Sequence, residues 1–315
     1  MHPSALLHYR LPLDTPIRFA GQTLDQREGL LLKFSLDGQL YYGDCCPLPG
    51  FSRDTLAQNQ DSLLAYCQRE GDEASLPPAA RFALDSGRLL CQPQRRPPPS
   101  TVPLLAGSEK QVLAQLSAQL QPPRLAKLKV ARAPVEEEIN LVHRVLGQAP
   151  GLRLRLDANR GWTYEQAATF AASVPLDRID FVEEPCATLE ESLALYQQHR
   201  LPLALDETTQ AQEYRYQPLP GVTALVLKPT LIGGIDRLTD IVEAAHHDGV
   251  RCVLSSSFES NLGLAAIAAL ARQLTPEQTP GLDTLEATGA DLCQPNLWGV
   301  PGRPLIPEAQ LERLF

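Results

Sequence analysis

The chain has 315 residues, 43% hydrophobic and 21% charged, with a formal net charge of −9 and a pI near 5.2. That balance suits a globular protein with a sizeable core and gives no overall electrostatic pull toward nucleic acid or an anionic membrane. No stretch reaches the roughly 18 apolar residues needed to span a bilayer, and the N-terminus lacks a basic segment followed by a long apolar one, so a cytoplasmic protein is expected. Seven cysteines, an odd number without paired Cys-x-x-Cys spacing, argue against a disulfide framework and a zinc site.

From the start of the chain, 30–35 and 38–43 read as strands of an antiparallel meander joined at the turn signal Asp37-Gly38. The Pro- and Gly-punctuated segment 44–53 reads as a loop before a helix starting near Asp54, with Phe51 as a loop anchor or ligand contact. A second helix is predicted over 78–91, and the proline-rich stretch 92–101 cannot continue it and reads as a linker. A domain boundary is therefore expected near residue 100.

Beyond it, short apolar strands (102–105, 125–130, 152–157, 179–184, 202–206, 223–228, 251–256 and 281–285) alternate with helix-length segments such as 134–147, 163–173, 188–199, 234–248 and 261–273. Such alternation predicts a parallel sheet covered by helices. Polar residues recur at the strand ends about every 25 residues, which suits a (β/α) barrel, where every strand ends at one mouth. A doubly wound sheet would gather its ligands at a single switch point instead.

The strand ends carry the chemistry. Lys127 and Lys129 leave one face of their strand while Leu128 points the other way. Of 28 basic residues only Lys33, Lys110, Lys127, Lys129 and Lys228 are lysines, so arginine serves almost everywhere that a plain surface cation would do. Lysine, unlike arginine, loses its proton when its pKa is depressed. An isolated Lys-x-Lys reads as an edge strand or a solvated sheet face, and an acid closing a strand as a helix cap. Asp157, Glu183 and Asp206 on consecutive strands, bracketed by the lysines before them and Lys228 after, are poorly explained as independent caps. Three convergent carboxylates call for a cation, and oxygen donors suit Mg²⁺ or Mn²⁺. A hard cation flanked by amines suits removal of the weakly acidic proton beside a substrate carboxylate.

The order Lys-x-Lys, Asp-x-Asn, Glu-Glu-Pro, Asp-Glu, Lys-Pro resembles the enolase superfamily, muconate-lactonizing subgroup. Cys46-Pro47-Leu48-Pro49-Gly50-Phe51-Ser52, Phe181-Val182-Glu183-Glu184-Pro185-Cys186 and Pro280-Gly281-Leu282-Asp283-Thr284-Leu285 are similar to strings of its o-succinylbenzoate synthases, and the likeness runs from about Tyr9 to Leu292. It implies a (β/α)7β TIM-like barrel over 101–289, capped by an α+β domain built from 1–100 with 290–315. It also implies Mg²⁺ on Asp157, Glu183 and Asp206, with Mn²⁺ as a substitute. Lys129 would be the base that later protonates the departing hydroxyl, Lys127 its electrostatic neighbour, and Lys228 the cation steadying the anionic intermediate. Asn159, Ser255, Ser256, Ser257, Gly281, Leu282, Gly50, Phe51 and Ser52 would touch the substrate, with Glu184 and Glu207 in supporting roles. The implied partner is a small-molecule carboxylate, with no nucleic acid, membrane or obligate protein partner.

The implied reaction is dehydration of 2-succinyl-6-hydroxy-2,4-cyclohexadiene-1-carboxylate to 2-succinylbenzoate in menaquinone biosynthesis. The alternatives are an N-acylamino acid racemase or dipeptide epimerase of the same superfamily, and a non-catalytic metal-binding barrel. Two departures stand out. Asp44-Cys45-Cys46 replaces a Gly-Glu-x-Ala-Pro-like run, and Asp283 stands alone where dipeptide epimerases show Asp-x-Asp.

Overall fold

A computed structural model describes every residue except 20–21, 92–98 and 120. Most of the predicted linker therefore lies outside the described residues. The fold divides into two compact units, one of Met1–Ser100, Lys228–Val242 and Leu254–Phe315, the other of Thr101–Leu227 and Glu243–Val253.

The first unit opens with three antiparallel strands, β1 (Ala5–Phe19), β2 (Gln22–Leu36) and β3 (Gln39–Cys45), followed by helices α1 (Leu56–Cys67) and α2 (Pro78–Leu90). The β2–β3 turn falls at Asp37 and Gly38, both at positive φ. Leu30, Leu31 and Leu32 break simple alternation because this sheet is covered on both faces. Leu6, Leu30, Leu32 and Phe34 pack with α1 and α2, while Leu7, Tyr9, Leu11 and Leu31 belong to a second core. At α2 the helix crosses β3 so closely that a Cβ at Gly43 would stand 1.8 Å from the carbonyl oxygen of Ala83.

The second unit supplies most of a seven-stranded parallel sheet. Its strands and helices alternate as far as β8: β4 (Leu104–Leu105), α3 (Glu109–Ser117), β5 (Leu125–Lys129), α4 (Val135–Gln148), β6 (Arg153–Asp157), α5 (Tyr164–Ser173), β7 (Ile179–Glu183), α6 (Leu189–His199) and β8 (Leu203–Leu205), after which only a 3-10 helix, Glu207–Gln210, leads to β9 (Val222–Leu227). Then come α7 (Pro229–Ile232), α8 (Ile235–His247) and β10 (Arg251–Leu254). Neighbours in the sheet are neighbours in sequence, the order a (β/α) barrel requires. Thr163 and Thr188 close capping boxes that start α5 and α6 just past the strand ends.

The first unit, which takes in α7 and most of α8, continues with α9 (Asn261–Leu274), β11 (Asp291–Leu292), β12 (Leu305–Ile306) and β13 (Glu312–Arg313), the last pairing with β1. The eighth barrel strand expected over 281–285 is reduced to one parallel bridge, Ser255 to Gly281. Pro280 offers no backbone donor, and the chain turns at once into a 3-10 helix, Leu285–Ala287.

Within this unit the guanidinium of Arg27 on β2, 1% exposed, donates to the carbonyls of Cys46, Pro47 and Phe258 at 2.9, 3.1 and 3.1 Å. One side chain thereby anchors the loop after β3 and the loop before α9.

Candidate active site

Strand register explains why the acidic and basic residues of the second unit meet. Lys129 pairs with Asp157 and Asp157 with Glu183 across β5, β6 and β7, so the three side chains form one row at the strand ends. Parallel, in-register strands send paired residues to the same face. One layer below, Lys127 is in register with Arg155 and Arg155 with Phe181. Ala126 and Leu128 take the opposite face and are fully buried.

The ammonium of Lys127 donates to Glu183 Oε2 at 2.6 Å and lies 2.8 Å from Asp157 Oδ2; that of Lys129 donates to the same Asp157 Oδ2 at 2.6 Å and to Asn159 Oδ1 at 2.9 Å. Asn159 Oδ1 also accepts from Arg132, and its amide donates to Glu207 at 3.1 Å. Asp206, 1% exposed, accepts from Gln210 at 3.0 Å. Glu184 faces away from this row. Its carboxylate accepts from the backbone N–H groups of Asp206 and Thr208 and pairs with Arg160, tying three strand-end loops together.

The two lysines are pushed in opposite directions. Burial works against the charge on Lys127, but Asp157, Glu183 and Asp206 outweigh it and hold its pKa well above the usual lysine value. For Lys129, burial dominates and lowers the pKa, with the neighbouring Lys127 charge adding to it and Asp157 opposing. Burial raises Glu183 to about 7; Lys127 draws it down, while the charges of Asp157 and Asp206 push it up. Asp157, although buried, is held well below the carboxylate range by both lysines.

The remaining expected residues lie in the first unit. Lys228 directly follows β9, caps α7, and its Nζ lies 5.8 Å from the centroid of the Phe51 ring. Gly50 has φ of 83°, and the Phe51 and Ser52 N–H groups both donate to Leu48, whose own N–H donates to Ser52 Oγ at 2.8 Å. The Gly281 carbonyl accepts from Ser255 and Ser256, while Ser257 donates both its N–H and its hydroxyl to Glu259. Leu282 is 1% exposed.

A family model described as "Enolase C-terminal domain-like" matches residues 111–297, and "MenC, N-terminal domain" matches 1–89. The o-succinylbenzoate synthase of Klebsiella pneumoniae is 36% identical over 324 aligned positions, spanning 100% of both chains. The chain belongs to the o-succinylbenzoate synthase family. The relative from Edwardsiella ictaluri is 37% identical over 95% of this chain and 97% of its own. Among solved structures, o-succinylbenzoate synthase from Thermosynechococcus elongatus, complexed with Mg in its active site, superposes with a TM-score of 0.70 at 25% identity, covering 88% of this chain and 91% of that one.

For an o-succinylbenzoate synthase, the carboxylates have suitable donor chemistry for a hard divalent cation. They are buried oxygen donors, and the pKa of Glu183 is raised first by burial and then by the charges of Asp157 and Asp206, a repulsion that a cation relieves. Among the described residues no three His, Cys, Asp or Glu side chains stand grouped to hold an ion as they are, and the Lys127 ammonium bridges Asp157 and Glu183. Sequence reasoning missed Arg27, Asp44 and Glu259. Asp44, fully buried, accepts from Tyr9 at 2.8 Å and from the hydroxyl and N–H of Ser260 at 2.7 and 3.0 Å. Its departure from the family-like string was the one visible signal.

Proposed function

We propose that the chain dehydrates 2-succinyl-6-hydroxy-2,4-cyclohexadiene-1-carboxylate to 2-succinylbenzoate, a lyase reaction of menaquinone biosynthesis, and does so in the cytoplasm. The observation that carries the chemical assignment is the placing of two lysines on one strand face, Lys127 between the carboxylates of Asp157 and Glu183 and Lys129 between Asp157 and the neutral Asn159, where burial eases it toward the neutral amine. A neutral amine takes up a proton; a fixed ammonium steadies negative charge.

Lys129 removes the proton α to the substrate carboxylate and returns it to the hydroxyl that departs as water. One group serves as base and then acid, and formation of the aromatic ring drives the step forward. Lys127 stabilises the charge that develops on the carboxylate. Lys228 steadies the anionic ring as a cation facing a π system. Asn159 orients Lys129 through the hydrogen bond to its ammonium. Gly50, Phe51, Ser52, Ser255, Ser256, Ser257, Gly281 and Leu282 bound the substrate. Asp157, Glu183 and Asp206 would hold Mg²⁺, or Mn²⁺ in its place, which supplies positive charge that makes the α-proton more acidic.

The test is an assay of the purified protein with Mg²⁺ and the cyclohexadiene carboxylate, followed by the ultraviolet absorbance of the aromatic product. Absence of product, together with deuterium exchange into N-acylamino acids, would replace this reading with a racemase.

A further inference from the structure

Glu259 is a buried carboxylate to which none of the foregoing chemistry assigns a role. It is 0% exposed and stands between the Ser255–Ser257 run and Ser260, the cap of α9. Its Oε1 accepts from the Ser257 hydroxyl at 2.6 Å and from the Thr230 hydroxyl at 2.7 Å, and its Oε2 from the Ser257 N–H at 2.7 Å. Thr230, also 0% exposed, lies in the short helix α7 that Lys228 caps, two residues from that lysine. Among the described residues its hydrogen-bond donors are two hydroxyls and one amide, all neutral. A carboxyl group held this deeply is costly unless its hydrogen bonds are made, so the three partners are locked to one another. The tie joins two segments 29 residues apart in sequence.

We propose that Glu259 is a positioning residue, which fixes the turn carrying Lys228 against the Ser257 segment so that the Lys228 ammonium and Ser257 meet the substrate in one set geometry. This rests on the roles given to Lys228 and Ser257 above. Asp44 makes a useful contrast. It is as deeply buried and bonds the adjacent Ser260, but it has no bond to α7 or Ser257.

The experiment compares kcat, KM and Tm for wild type, Glu259→Gln, Thr230→Val, Thr230→Ser and Asp44→Asn, with the cyclohexadiene carboxylate and Mg²⁺ well below every Tm. Thr230→Val cuts only the tie to α7, so kcat is expected to fall about tenfold with KM within about twofold, the pattern of a lost transition-state interaction. Thr230→Ser, which keeps the hydroxyl, restores kcat. Glu259→Gln lowers kcat and raises KM, because the Ser257 side loosens too. Asp44→Asn moves Tm and leaves kcat in place. Wild-type kcat in Thr230→Val and Glu259→Gln, whatever their Tm, overturns the proposal and leaves Glu259 a structural brace. Should Glu259→Gln fail to fold, the Thr230 pair decides alone. An inactive wild type sinks the functional reading and this inference with it, whereas an active wild type with silent variants sinks this inference only.

Discussion

Lys127 and Lys129 place their ammonium nitrogens 2.8 and 2.6 Å from one oxygen, Oδ2 of Asp157. Sharing an anion does not make them equivalent. Lys127 has Glu183 as a second carboxylate partner, while the second partner of Lys129 is the neutral Asn159. The difference gives the two positions different tolerance to arginine, which keeps the charge but cannot serve as the base. Lys129→Ala and Lys129→Arg are both expected to lose about a thousandfold in kcat, the scale of general acid–base catalysis, with folding intact by circular dichroism. Lys127→Arg retains the greater activity of the two arginine variants. Equal losses at the two positions would refute the division of roles.

The contact between Lys228 and Phe51 makes a milder prediction. Phe51→Leu removes the ring while keeping an apolar side chain, and a cation–π contact is worth about 0.5–1 kcal/mol where solvent reaches it. A fall in kcat/KM of about two- to fivefold is expected. Lys228→Ala, by contrast, abolishes turnover, and stopped-flow measurement of single-turnover rates separates the two effects.

Asp44 sets a pH dependence of stability. Burial raises its pKa to about 6; the bonds from Ser260 and Tyr9 draw it down, and the charge of Glu259 pushes it up. In the unfolded chain the carboxyl returns to about 3.9, so the folded state holds this proton more tightly. Its contribution to stability is therefore fully present below about pH 4, lost as pH rises to about 6, and flat above, a change of about 3 kcal/mol. Denaturant unfolding from pH 4 to 8 measures it as the difference between wild type and Asp44→Asn, which lacks this component. Identical pH profiles for the two proteins would contradict it.

The crossing of α2 over β3 has no room for a side chain. A Cβ at Gly43 would lie 1.8 Å from a backbone oxygen that cannot swing aside, and one at Gly87 would meet Phe34 at 2.3 Å and the Gly43 nitrogen at 3.1 Å. Gly43→Ala is expected to cost about 3 kcal/mol or more, through separation of helix and strand. Gly147→Ala, with nothing within 4 Å of the new methyl group, is expected to stabilise its helix by about 0.5–1 kcal/mol. Thermal denaturation of the pair checks both signs.

The parallel sheet was legible because each strand is short, apolar and closed by a polar residue, and Asp157 and Glu183 recur at nearly equal spacing. Periodicity is a local signal, and these elements obey it. β1 escaped notice because Pro12, Asp14 and Pro16 interrupt its alternation, and its register with β2 pairs residues that no local pattern links. The eighth strand was overread, since Leu282 and Leu285 are apolar but the chain makes a single bridge at Gly281 and turns at Asp283 and Thr284 into the 3-10 helix. Asp44 and Glu259 resemble loop acids in sequence. Their burial is decided by Ser260, 216 residues from Asp44, and by Thr230, and a single sequence carries no local trace of such distant pairs.

The anchor at Arg27 bears on how this protein can change. It grips three backbone carbonyls, and every residue type supplies a carbonyl. The loops that carry Phe51 and Ser257 are thus held largely by their backbones, with the Cys46 sulfur, which accepts from the same guanidinium at 2.9 Å, as a side-chain contact besides. Away from Cys46, Ser257 and Glu259, whose side chains are themselves tied, new residues can be tried along either loop while the fastening stays in place, so substrate preference is free to drift without unpicking the scaffold. A change at Arg27 itself releases both loops together.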